Sequence, residues 1–344
     1  MNGAALETAR AAKLLVVDHF RVRHGETVVV TVDSVSDRAL VEAVLAASAA
    51  AGAHALLLRA PRLPYQGKLA DPYVPDALAA AVAESDVWFD LTFPYLAGSG
   101  AHDRAMRRSR TRYLLLGDAS AESLQRLYAT VDADALFAVQ SAFDDVMASG
   151  EGAPARVSAG NGSDFEFRLG RPGGRKSRVI DQPGSATVAG SCIYYPEPGS
   201  VRGIVALDAI FHEYYTQTSK PIVLHVDGEI RRIEHDPVHE RVTERALRRA
   251  TGGGYGRIIH LTCGFHPGAR YTGQSFIEDI RTVGANAIGL GVPWWEPGGG
   301  ENHPDGIVFR QSLWIDGEAI VADGRIVGPS SLAAAAQALE ATVA

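Results

Sequence analysis

His303-Pro304-Asp305 sets an imidazole and a carboxylate two residues apart on one extended stretch of chain. Alternate side chains of an extended strand share a face, so both can reach a single ion. The glycines Gly298-Gly299-Gly300 just before them let backbone approach such a site closely. A third ligand has to come from a neighbouring strand, and Ile258-Ile259-His260-Leu261 offers a histidine inside an otherwise apolar run. Two histidines and a carboxylate make the facial set that leaves positions open on Fe(II) for substrate and dioxygen. Each piece alone has a plainer reading. A His-x-Asp pair is a common surface turn, and a lone strand histidine is more often a hydrogen-bonded core residue than a ligand.

Seven of the 11 histidines follow residue 200, so metal-ligating groups gather in the C-terminal half. His235 and His239 are four apart, but Asp236-Pro237 between them marks a helix start, which favours a structural role. His212-Glu213-Tyr214-Tyr215 offers an acid or base, with packing at a strand end as the plainer account. Trp294 and Trp295 can wall an aromatic pocket or belong to the core. His102, in Ala97-Gly-Ser-Gly-Ala-His102, is either part of a lid that contacts substrate or an ordinary helix N-terminus.

The elements that must position these residues fall into two textures. In the first 150 residues short apolar runs alternate with helical stretches. Glu26–Val32 is β-branched, and Asp33-Ser34 reads as the cap of a helix reaching about Ala51. Strand signals recur at Ala55–Leu58, Val87–Thr92 and Tyr113–Leu116, with helices over Ala77–Glu84 and His102 to about Arg110. This is the pattern of a Rossmann-like parallel sheet covered on both faces, the N-terminal α/β domain 1–150. No G-x-G-x-x-G follows its first strand, so a dinucleotide is not implied. From about Arg156 alternation and glycine, proline and asparagine punctuation predict antiparallel strands. A clear helix runs from Asp236-Pro237 to about Arg249, and strands return at Ile258–Leu261 and Ala287–Leu290. The expected second domain, 151–344, is β-rich α+β and carries the metal.

Composition narrows the partners. The 344 residues are 46% hydrophobic and 21% charged with a net charge of −7, so phosphate backbones lack the basic surface they need. Two cysteines, Cys192 and Cys263, cannot form a four-thiolate zinc site or a disulfide framework. No apolar run reaches the roughly 18 residues of a membrane helix, and the start lacks the basic-then-apolar order of a signal peptide. A cytoplasmic homo-oligomer with a small-molecule substrate, no nucleic acid and no membrane is expected.

Several stretches carry a family texture: Gly162-Ser-Asp-Phe-Glu-Phe167, Gly190-Ser-Cys-Ile-Tyr-Tyr-Pro196, Gly203-Ile-Val-Ala-Leu-Asp208, His303-Pro-Asp305 and Leu313-Trp-Ile-Asp-Gly317. In these the chain resembles the family that joins the thermophilic metallo-aminopeptidases, of the aminopeptidase T and S type, with 2,5-dihydroxypyridine 5,6-dioxygenase. The aminopeptidases open a Glu-x-x-x-Gly-x-Asn-Pro motif with a glutamate. Here the frame reads His260-Leu-Thr-Cys-Gly264-Phe-His266-Pro267. Their second bridging glutamate lies in Gly-Glu-x-x-x-x-Pro, where this chain has Gly190-Ser191 and Pro196, and a further histidine ligand is replaced by Asn286 or Ala287. These departures remove a two-metal hydrolytic site and leave His260, His303 and Asp305, the pattern of the mono-iron dioxygenase branch, with His266 as second choice for the first ligand. The resemblance further implies Ser191, Tyr194 and His266 as catalytic groups, and His102, Tyr195 and Trp294 as substrate contacts. The implied function is a non-haem Fe(II) dioxygenase that cleaves a hydroxylated, hydroxypyridine-like ring. A metal-dependent aminopeptidase and a metal-free binding protein of the same fold are the rivals.

Overall fold

β-Branched residues have few helical rotamers and pack well on a pleated surface, and the TVVVTV run forms β1 (Thr27–Val32). The computed structural model describes residues 3–293 and 304–343. Beside β1 lie β2 (His54–Arg59), β3 (Val87–Leu91) and β4 (Arg112–Leu115), all parallel. Helices Arg38–Ala50, Asp76–Ala83 and Gly100–Arg107 make the crossovers. The cap of the first helix is Asp37, whose side chain accepts from the Leu40 amide, and not Asp33-Ser34 as expected. Asp33 instead accepts from the Val35, Ser36 and Phe93 amides, tying the loop after β1 to the loop after β3.

Three strands follow a pair of helices, Ala121–Tyr128 and Ala133–Ser149: β5 (Pro154–Ser158), β6 (Asp164–Arg168) and β7 (Gly184–Thr187). β7 returns to the parallel sheet and pairs with β4, giving the order β2-β1-β3-β4-β7. The remaining strands are β8 (Ser191–Tyr194), β9 (Arg202–Phe211), β10 (Tyr215–Asp227), β11 (Glu229–Glu234), β12 (Arg257–Gly264) and β13 (Asn286–Gly291). β14 (Asp305–Val308), β15 (Ser312–Ile315), β16 (Glu318–Ala322) and β17 (Arg325–Ile326) complete them. With β5 and β6 they build one antiparallel sheet ordered β17-β16-β15-β5-β6-β9-β14-β13-β12-β8, and β10 and β11 branch from β9. The molecule is therefore a mixed α/β structure with one parallel and one large antiparallel sheet.

The large sheet is apolar on both faces, and that decides where the site lies. On one face Val205, Leu207, Ile210, Ile288, Leu290 and Val308 join a core closed by the Ala133–Ser149 and C-terminal Ser330–Glu340 helices. On the other, Ala209, Phe211 and Ile307 join a core that also holds Val28, Val30, Phe89 and Leu114 of the parallel sheet. The second core ties the two sheets together. Among the described residues no helix is long and apolar enough to cross a membrane.

Candidate metal centre between the sheets

His260 pairs with Gly289, Gly289 with Asp305, and Asp305 with Phe211, so four strands are in register along one row. Directly opposed residues of an antiparallel sheet share a face. Strands lie about 4.8 Å apart, which sets the His260 and Asp305 backbones at about twice that distance. Glycine between them carries no side chain, and the imidazole and carboxylate meet above it. His260 Nε2 stands 3.2 Å from Asp305 Oδ1, and the two side chains are only 17% and 7% exposed.

That spacing suits an ion. Ligand atoms at roughly 2.1 Å from one metal and at right angles to each other lie about 3.0 Å apart. The donor set, one imidazole nitrogen and one carboxylate oxygen, is the chemistry a first-row divalent metal takes. His303 and Trp294 lie outside the described residues.

An aromatic wall adjoins the pair. Phe211, next in the row, stacks on Phe93 at 5.0 Å between ring centres, and Tyr95 and Phe276 lie 5.5 and 4.9 Å from it. Phe93 and Tyr95 come from the loop after β3, at the carboxyl ends of the parallel strands. Burial pushes the Tyr95 phenol well above its ordinary range, and the negative charges of Asp305 and Asp118 push it further. Tyr95 therefore keeps its proton and is able to donate a hydrogen bond. Asp118, raised to about 7 chiefly by burial, accepts from the Phe276 and Ile277 amides and holds that part of the wall.

A family model described as 2,5-dihydroxypyridine 5,6-dioxygenase (NicX) matches residues 12–328. The chain belongs to the 2,5-dihydroxypyridine 5,6-dioxygenase family. Among solved structures it is similar to a 2,5-dihydroxypyridine dioxygenase from Pseudomonas putida KT2440, at 18% identity and a TM-score of 0.73, covering 95% of this chain and 99% of that one. It is also similar to wild-type AmpT from Thermus thermophilus, at 13% identity and a TM-score of 0.65, covering 94% and 99%. No curated protein gives a significant match. As a member of the 2,5-dihydroxypyridine 5,6-dioxygenase family the chain is an enzyme of the ring-cleaving dioxygenase class.

Seen as a member of that dioxygenase family, the chain scatters its other sequence-marked residues. His266 follows β12 and is fully buried, its Nε2 3.1 Å from the Leu127 carbonyl oxygen while its Nδ1 accepts from the Gly268 amide. Both ring nitrogens are thus held by backbone, and beyond the end of β12 its own amide donates to the Arg281 carbonyl oxygen. Gly190 is required beside it: its φ is +101°, and a Cβ there would fall 2.6 Å from the His266 Cβ. Tyr194 points to the opposite face, stacked on Phe167 with its hydroxyl donating to Gln311 Oε1 at 3.3 Å. Ser191 opens β8 opposite Gly264, and its carbonyl oxygen accepts from Lys176. Tyr195 is half-buried, its ring 2.9 Å from where a Cβ at Gly173 would stand. His102 is 5% exposed, and its ring packs at 4.7 Å from that of Tyr113 and 6.3 Å from that of Trp88. Its neighbours belong to the core under the parallel sheet, so the structure does not bring it to the His260–Asp305 pair.

His235, Asp236 and His239 do cluster, but as a helix cap. Asp236 accepts from the Val238 and His239 amides, while the His235 nitrogens lie at the Lys220 carbonyl oxygen and the Asp236 amide. His212, just past Phe211, is held near pKa 4 by burial and by Arg245 and Arg249, with Glu213 paired to Arg249 beside it. Sequence reasoning missed Gly289, Phe211 and Tyr95. Only Gly289 carried a local signal, since a glycine inside a strand marks close approach by something else.

Proposed function

We propose that this chain cleaves a hydroxypyridine-like ring with dioxygen, using one Fe(II) ion held by His260, His303 and Asp305. The observation that carries the reading is the 3.2 Å approach of His260 Nε2 to Asp305 Oδ1 across Gly289. His303 lies two residues before Asp305 in the sequence, the spacing that lets alternate residues of an extended segment share a face. When bound, such an ion supplies open adjacent positions and the redox chemistry that joins an electron-rich ring to dioxygen.

The protein's own residues account for the rest. Phe93, Phe211 and Phe276 form an apolar aromatic wall beside the pair, which favours a planar ring and excludes water. Tyr95 holds its proton and donates a hydrogen bond toward an oxygen on the ring. It is better placed for that hydrogen bond than Tyr194 or His266, which face other partners. The electrons for cleavage come from the substrate, so no nicotinamide is needed.

An oxygen electrode tests the proposal. Anaerobically purified enzyme reconstituted with Fe(II) should consume dioxygen with a dihydroxypyridine and without NAD(P)H. Cleavage of aminoacyl-nitroanilides under nitrogen, with no oxygen uptake on any hydroxypyridine, would move the assignment to a hydrolase.

A further inference from the structure

Strands of a parallel sheet are normally buried on both faces, but β2 is not. Leu56 and Leu57 point to opposite faces of it, and they are 47% and 49% exposed. β2 is also the outer strand of its sheet, paired on one side only, with β1, among the described residues. The His54 and Ala60 amides donate to the Glu26 and Val32 carbonyl oxygens at 2.8 and 2.9 Å. Backbone groups alternate in direction along a strand, so His54, Leu56 and Leu58 bond toward β1. Ala55, Leu57 and Arg59 turn their amides and carbonyl oxygens to the open edge.

An open edge is a template for pairing with another chain, and proteins guard it with lysine, proline, a bulge, shortness or a cover. β2 has neither lysine nor proline. It is six residues long, and its register with β1 runs without a shift from Thr27 with His54 to Val32 with Arg59. Its middle is the apolar run Ala55-Leu-Leu-Leu58. The one full charge, Arg59, stands at the last position.

We propose that β2 pairs antiparallel with β2 of a second copy of this chain, across a two-fold axis at Leu57, joining the two five-stranded sheets into one. That axis sets Leu57 opposite itself, Ala55 opposite Arg59 and Leu56 opposite Leu58, so every outward-turned residue finds a partner. An axis at Leu56 would set Arg59 opposite Ala53, whose amide already donates to the Ser48 carbonyl oxygen. An axis at Leu58 would set Ala55 opposite Pro61, which has no amide to give. With the axis at Leu57, leucine meets leucine on both faces, and Arg59 meets alanine rather than a second cation. Helices pack on both faces of the sheet. The edge is thus about 20 Å long and about 30 Å deep, and roughly 600 Å² per copy can be covered. That approaches the ~800 Å² per partner of a stable interface.

Light scattering and cysteine crosslinking of the full-length chain test the pairing. The wild-type chain should form a dimer or a larger even-numbered assembly. Leu57→Asp, which opposes two carboxylates on the axis, should halve its mass. Leu57→Cys should form an intermolecular disulfide under mild oxidation whether or not Leu57→Asp folds. Hydrogen-bonded antiparallel partners have Cα atoms about 5.5 Å apart, within disulfide reach. Leu56→Cys should not crosslink, because its two copies lie diagonally, roughly 7–8 Å apart. Cys192 and Cys263 are buried and give no background. A monomeric or odd-numbered wild-type chain, a mass unchanged in Leu57→Asp, no crosslink in Leu57→Cys, or an equal crosslink in Leu56→Cys overturns the proposal.

Discussion

At the scale of single residues, the centre depends on what Gly289 lacks. With glycine between them, His260 and Asp305 reach across two strand spacings and meet. Gly289→Leu keeps the strand but inserts a side chain on the shared face, so bound metal and turnover should both be lost while the circular dichroism spectrum is kept. Asp305→Asn and His260→Ala should each lower turnover by at least about a hundredfold, a loss beyond that of disturbing an outer-shell partner. Elemental analysis of each variant checks this, since an ion retained at full occupancy in both would remove them from the ligand set. Tyr95→Phe is a different case. It should keep the metal and lose turnover by about tenfold, the worth of one donor hydrogen bond, seen as a lower kcat in oxygen uptake.

At the scale of elements, the short Phe276–Asp279 helix locks the two sheets together. Glu278, fully buried, receives Arg126 Nε and Nη2 at 2.6 and 2.8 Å and the Ser123 hydroxyl at 2.6 Å, all from the Ala121–Tyr128 region. Asp118 grips the start of the same helix from the loop after β4. Breaking a buried pair leaves one charge uncompensated and costs about 3–5 kcal/mol. Arg126→Met should therefore lower the stability read by urea denaturation by that order. Because the same helix carries Phe276, the variant should also raise KM, through a loosened aromatic wall rather than a lost contact to substrate. Unchanged stability would mean that the lock is not closed in solution.

At the scale of the whole molecule, buried neutral histidines make the fold acid-sensitive. His19, His102 and His266 are all buried, and burial lowers each from 6.5 to about 4. As the pH falls, the unfolded chain takes up these protons before the folded one does. The stability they contribute is complete above pH 6.5 and drains away as the pH falls toward 4. The slope is about 1.4 kcal/mol per pH unit for each histidine. Both nitrogens of the His102 ring lack hydrogen-bond partners among the described residues. His102→Phe should therefore keep or raise stability at neutral pH and shallow the acid slope by one proton, measured as urea midpoints from pH 7 to pH 4.5.

Much of this was legible locally. The run at β1, the alternation in β6 and the cap-plus-proline at Asp236-Pro237 each state their own backbone preference, because rotamer freedom and capping act over a few residues. His260 was marked by an apolar run and Asp305 by its spacing from His303, and both lie on strands. What sequence could not determine is which strands are neighbours and in what register. Those depend on contacts between segments far apart in the chain, such as β9 with β14. Phe211 and Tyr95 are ordinary aromatics until β9 lies beside β14 and the β3 loop folds over both. The same holds for the choice between His260 and His266, two imidazoles in one stretch of chain. Only the fold turns one toward a carboxylate across a glycine and gives both nitrogens of the other to the backbone.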